Sequence, residues 1–141
     1  MAIYPNPEQI KKLMEGPADT PVVMINLLRF KQRADDIDRA DAAESGASGQ
    51  EAYAKYGEQM RKFVESKGGR FIWAGRIDSQ VIGEGGEGFH MAALVEYPSR
   101  KAFLEIIGDP HVQDIGEHRQ AGLEMQWLLA STGAPLGEPP S

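Results

Sequence analysis

Ile10, Leu13 and Met14 recur at helical spacing behind Asn6-Pro7, and Gly16-Pro17 closes the segment, which predicts a short leading helix. Pro21 then opens Val22–Phe30, VVMINLLRF, which is apolar on both alternating sets and so reads as a strand covered on two faces. Residues 31–49 are charged, alanine-rich and without an apolar period, the pattern of a long connection. Ser48 and Glu51 have capping-box spacing, and the stripe Tyr53, Tyr56, Met60, Phe63 and Val64 predicts a helix that Gly68-Gly69 ends. Residues 70–82 alternate through Phe71, Trp73, Gly75 and Ile77. A glycine-rich turn at 83–88 leads into a second strand at 90–97, apolar on both sets from Met91 to Val95. Pro98-Ser99 starts a further helix that Asp109-Pro110 breaks and restarts. Residues 123–130 make a last strand, and the glycines and prolines of 133–141 read as a frayed tail.

Setting aside the helical extension at 1–20, the order over 21–132 is strand, helix, strand, strand, helix, strand. That order predicts an α+β fold, a ferredoxin-like βαββαβ unit with an antiparallel sheet of order 4-1-3-2. Two helices cover one face of such a sheet, yet its central strands are apolar on both. The second face needs a cover, and pairing with another copy into a dimeric α/β barrel is the simplest.

The 141 residues suit one domain, and 41% hydrophobic with 26% charged residues is ordinary globular composition. The stretch from Val22 to Leu28 is too short to span a bilayer, and Glu8, Lys11 and Lys12 interrupt any signal-peptide core, so a cytoplasmic location is expected. A net charge of −6 argues against nucleic acid and anionic membranes as partners and leaves small molecules or proteins. With no cysteine there is no disulfide, thiolate metal site or cysteine nucleophile.

Glu51-Ala52-Tyr53-Ala54-Lys55-Tyr56, Gly68-Gly69-Arg70-Phe71, Val95-Glu96-Tyr97-Pro98-Ser99, Asp109-Pro110 and Arg119 together resemble the domain of unknown function 1330 family over about residues 50–131. Val22–Phe30 looks like the first strand of a longer subgroup. The resemblance implies the dimeric α/β barrel and brings no activity with it, because that fold carries monooxygenases, isomerases, lyases and haem-handling proteins. Val112 departs from the aromatic residue usual at its position.

Arg119 lies in nearly the same direction as Val112 and Ile115 on a helix, so its guanidinium faces the sheet and needs an anion. Either Glu96 supplies an internal ion pair, or Arg119 grips a ligand carboxylate or enolate. Asn26 shares a strand face with Val22, Met24 and Leu28, bonded locally or aimed at a ligand. Arg29, on the opposite face, suits a rim salt bridge or a ligand anion. Tyr53, Tyr56 and Trp73 are core or pocket wall. His111, beside the Asp109-Pro110 break, is the first choice of general acid or base. His111, Asp114 and His118 share a helix side that reads as a solvated polar face rather than a metal site. The glycines at 83–88 join two strands and lack the lysine of a phosphate loop.

Two main readings follow. One is a small-molecule enzyme in which Arg119 orients an oxygenated or anionic compound, His111 moves a proton, and Asn26, Tyr53, Tyr56 and Trp73 shape the pocket, by proton transfer or cofactor-free oxygen chemistry. The other is a non-catalytic binding or stress-related module with a structural Arg119. Haem handling is a weaker third. No cofactor or metal is called for.

Overall fold

The computed structural model describes residues 3–34 and 48–133. Its elements run α1 (Pro7–Met14), β1 (Val22–Phe30), α2 (Gly49–Ser66), β2 (Arg70–Arg76), β3 (Met91–Tyr97), α3 (Arg100–Ile107), α4 (Pro110–Gly122) and β4 (Leu123–Ser131). The four antiparallel strands lie in the order β2-β3-β1-β4, the ferredoxin-like arrangement with β1 and β3 in the middle. Most of the long connection, residues 35–47, and the tail from 134 onward lie outside the described residues.

The capping residues act as their spacing requires. Ser48 accepts from the Glu51 amide at 3.0 Å while the Glu51 carboxylate accepts from the Ser48 amide at 3.2 Å, which satisfies two orphan donors at the start of α2. Asn6 and Gln9 do the same for α1, and Asp109 accepts from the His111 amide at 2.8 Å with Pro110 at the first helical position of α4. Gly68, at φ 90°, makes the left-handed exit from α2.

Two expectations about β2 need correction. The strand ends at Arg76 rather than at 82, and one bond, Ile77 N–H to the His90 carbonyl at 2.9 Å, continues the pairing beyond it. A bulge between Phe71 and Trp73 breaks the alternation: Phe71 stands opposite Val95, but Trp73 stands opposite Leu94. One extra residue therefore sends two aromatics to opposite faces of the sheet.

On the helix-covered face, β1 presents Val22, Met24, Asn26, Leu28 and Phe30, all buried. Val22 and Met24 join Met60, Val64, Val95 and Ile115 in a large apolar cluster. Leu28 and Phe30 join Leu123, with Ile3, Tyr53 and Met91 against them, in a smaller one. Asn26 sits between the two. The other face carries Ile25, Leu27, Leu94 and Leu129 in register, with Trp73 and Trp127 beside them. Trp73, Trp127 and Leu129 are 55, 48 and 50% exposed.

Three backbones meet where α2 begins. Lys31 N–H donates to the Gly122 carbonyl at 2.8 Å, and Gly49 N–H donates to the Lys31 carbonyl at 3.0 Å. A Cβ on Gly122 would lie 2.2 Å from the Gly49 oxygen, and one on Gly49 would lie 2.1 Å from the Lys31 oxygen. Only glycine admits this crossing. At the other end of the sheet Arg100 is buried, donating to the Pro17 carbonyl at 2.9 Å and the Thr132 hydroxyl at 3.1 Å, with its Nε left without a partner. It ties the segment after α1 to the residue that follows β4.

Candidate functional site

The gap between the two apolar clusters is filled by a directional chain of polar groups. A guanidinium only donates, so the Gln126 oxygen must face it, and Arg119 Nη2 donates to Gln126 Oε1 at 2.6 Å. The Gln126 amide nitrogen then donates to Asn26 Oδ1 at 2.7 Å. Asn26 Nδ2 in turn donates to the carbonyls of Met24 at 3.2 Å and Ala93 at 3.4 Å. Each amide orientation is fixed by the one before it, so the chain holds Arg119 in a single pose.

Tyr53 and Tyr56 border this belt, their rings 5.3 Å apart, with Phe30 5.3 Å from Tyr53 on the other side. Among the described residues neither tyrosine hydroxyl has a hydrogen-bond partner, and Arg119 makes no salt bridge to a carboxylate. Its other contacts are with the segment before α1: Nη2 donates to the Ile3 carbonyl, and the Tyr4 ring lies 5.1 Å from the guanidinium carbon. The site is thus a partly buried cation beside two free phenolic donors.

Burial holds Tyr53, Tyr56 and Tyr97 protonated above their ordinary value. The neighbouring phenol adds to this at Tyr53, and Arg119 opposes it at Tyr53 and Tyr56. At neutral pH they are donors. Above the ordinary tyrosine value of 10.0 the unfolded chain releases phenolic protons that the folded chain keeps, so stability falls as pH rises. The contribution is complete below that value, and each phenol steepens the loss by up to about 1.4 kcal/mol per pH unit. Thermal unfolding measured between pH 9 and 11.5 is expected to show this decline, and the Tyr53→Phe/Tyr56→Phe protein is expected to show a shallower one. Equal slopes would contradict it.

The structure redistributes several candidates. Glu96 is not the partner of Arg119: strand alternation puts it on the opposite face from Val95 and Tyr97, where it bonds Arg70 at 3.0 Å. Trp73 is carried by the bulge to the open face and lines no part of the belt. His111 is exposed, its ring 5.2 Å from Phe63, and eight residues of helix, about 12 Å, separate it from Arg119. His118, expected on a solvated face, is buried, because it continues the stripe of Val112 and Ile115. Arg29 pairs with Glu124 at 3.2 Å on the open face. Among the described residues no His, Asp and Glu side chains are grouped to hold a metal ion.

Gln126 and the Ile3-Tyr4 contact were not anticipated. A lone amide among the apolar residues of 123–130 was the signal for Gln126, but only the strand register, which sets Gln126 opposite Leu28, brings it to Asn26.

A second concavity, an open groove of about 710 Å³, lies beyond Phe30 and is lined by Arg29, Lys31, Ser48, Arg76, His90 and Glu124 among others. Its cations are largely matched, Arg29 by Glu124 and Arg76 by Asp78. His90 Nδ1 accepts from the Phe30 amide at 3.0 Å, which leaves Nε2 as the donor of the neutral ring. The unmatched cation of Arg119 distinguishes the belt from this groove.

Comparison with known proteins agrees with the architecture. The family model described as domain of unknown function (DUF1330) matches residues 43–132. Two crystal structures of RPA0582, one of the methylated protein and one described as a protein of unknown function from Rhodopseudomonas palustris, are similar over nearly their whole length. The methylated form is 31% identical, with a TM-score of 0.83, 97% of this chain and 98% of that one covered. The other is 32% identical, with a TM-score of 0.79 and coverage of 94 and 97%. Hydroxynitrile lyase from Passiflora edulis shares the fold at 14% identity and a TM-score of 0.56, over 86% of this chain and 99% of its own. SnoaB, a cofactor-independent oxygenase from Streptomyces nogalater, does so at 11% and 0.51, over 84 and 99%. Identities this low bear on fold alone. No curated protein matches the chain. No helix among the described residues is long and apolar enough to cross a membrane.

Proposed function

The chain belongs to the DUF1330 family, and from that premise we propose that it binds a compact organic anion, a carboxylate or enolate, in the polar belt between sheet and helices. The observation that carries this reading is Arg119, a partly buried cation with no carboxylate partner among the described residues, held in one pose by Gln126 and Asn26. Nη1 and Nε make no hydrogen bond to the described residues and each offers a donor to a ligand oxygen, while a two-oxygen fork on either edge of the guanidinium also takes a hydrogen of Nη2, which the Ile3 carbonyl and Gln126 now hold. The Tyr53 and Tyr56 hydroxyls add neutral donors that stabilise negative charge without competing for it. His111 is too distant to move a proton here, and the belt offers donors rather than a base, so these groups support binding of an anion that is already formed. Titration calorimetry with a panel of small carboxylates, on the unmodified and Arg119-substituted proteins, tests the assignment.

The protein that binds is a homodimer joined through the open sheet face. Strands of seven to nine residues at the usual rise and spacing give a four-stranded face of about 500 Å² in plan, which side-chain relief brings near the roughly 800 Å² each partner contributes to a standard interface. Leu129→Arg puts a charge on that face at the edge strand β4, opposite Ile25 of central β1, on a residue already half exposed in the isolated chain. It is expected to give monomers at micromolar concentration by light scattering, with the chain still folded. A variant that elutes unchanged as a dimer, or an unmodified protein that is monomeric, would overturn this interface.

A further inference from the structure

Arg119 is not bare in front of the belt. The Ile3 carbonyl accepts from its Nη2 nitrogen and the Tyr4 ring covers its carbon at 5.1 Å, so a carbonyl dipole and an aromatic face occupy ground that an anion would take. Both groups are neutral. They shield the cation and leave its charge uncompensated, which a carboxylate would correct. The segment is also lightly held: Tyr4 is 60% exposed, α1 buries none of its residues, and Ile3 is a half-buried residue packed against the small Leu28, Phe30 and Leu123 cluster.

We infer that Ile3 and Tyr4 form an internal surrogate ligand that the anion displaces, so that binding opens this strap. The inference rests on the anion-site reading above and adds a gate to it. A closed strap lowers the apparent affinity by the fraction of molecules that are open. Weakening the strap therefore tightens binding without touching any residue of the belt.

The full-length Ile3→Ser/Tyr4→Ala variant removes the apolar anchor and the ring while leaving Arg119, Gln126, Asn26, Tyr53 and Tyr56 in place. With benzoate as probe, calorimetry is expected to show affinity about three- to tenfold higher than the unmodified protein. Hydrogen exchange of the Asn6 amide, which donates to the Gln9 side chain at 3.0 Å where the strap meets α1, is expected to accelerate in the unmodified protein at saturating benzoate. Equal affinities with unchanged exchange overturn the strap and leave the anion site standing. Failure of both proteins to bind benzoate, pyruvate or inorganic phosphate overturns the site, and the strap with it. Should the double substitution unfold the chain, Tyr4→Ala alone serves, with the same direction of change and the same exchange readout.

Discussion

Replacing Arg119 with methionine is expected to weaken binding of a small carboxylate about a hundredfold, the largest effect on affinity of any single change in the belt. Methionine keeps most of the length and apolar stem but removes the charge. Charge-assisted bonds contribute about 1.5 to 3 kcal/mol, and each 1.4 kcal/mol is a factor of ten in affinity. Arg119→Lys keeps the charge on a compact ammonium and loses the planar fork, so about a tenfold loss is expected. Folding stability is expected to change little in either variant, since no described carboxylate is left unpaired and the groups that lose a donor are the Gln126 oxygen and the carbonyl of half-buried Ile3. His111→Ala, on the distant turn of α4, is the control and is expected to bind within twofold of the unmodified protein. Calorimetry with one carboxylate across the four proteins decides the matter. An Arg119→Met protein that binds as well as the original would remove Arg119 from the site.

A large loss of stability is expected at Gly122. An added methyl would lie 2.2 Å from the Gly49 oxygen and 3.0 Å from the Tyr53 nitrogen, and both belong to the backbone of α2, which cannot rotate away. Gly122→Ala is therefore expected to cost about 3 kcal/mol, the upper end of overpacking, and to lower the melting temperature by roughly 10 °C. The same substitution at Gly57 is expected to have the opposite sign. Gly57 lies within α2 with nothing within 4 Å of its added Cβ, so alanine there raises stability by about 0.5 to 1 kcal/mol through the unfolded chain's lost freedom. Paired denaturant titrations give both signs in one experiment. A Gly122→Ala protein as stable as the original would mean that the two helices slide apart at no cost.

The fold could be read from the chain because its signals were local and mutually consistent. Ser48 with Glu51 marked a helix start, Asp109-Pro110 marked a restart, and strands apolar on both sets marked the middle of the sheet. Arg119 was legible for the same reason: it follows Ile115 by one helical turn. What the sequence hid depends on register and on single inserted residues. Glu96 and Val95 are neighbours in the chain and lie on opposite faces of the sheet, so proximity of β3 to α4 did not make Glu96 a partner for Arg119. The bulge at β2 has no marker of its own in Arg70-Phe71-Ile72-Trp73, and period-two counting carried Trp73 to the wrong side. Gln126 meets Asn26 across 100 residues of sequence, which no local pattern encodes.

That separation has a kinetic meaning. β1 lies between β3 and β4, and its pairing with β4 closes a loop of about 100 residues, so it must form late. At a synthesis rate of 5 to 20 residues per second, β1 exists for roughly 5 to 20 s before its β4 partner is made. During that time one edge of the most apolar strand is unpaired, Asn26 lacks Gln126, and the smaller apolar cluster lacks Leu123. The nascent chain is therefore most exposed to misassociation on the ribosome at the strand that later anchors the sheet, and β4 is the element whose arrival ends that exposure.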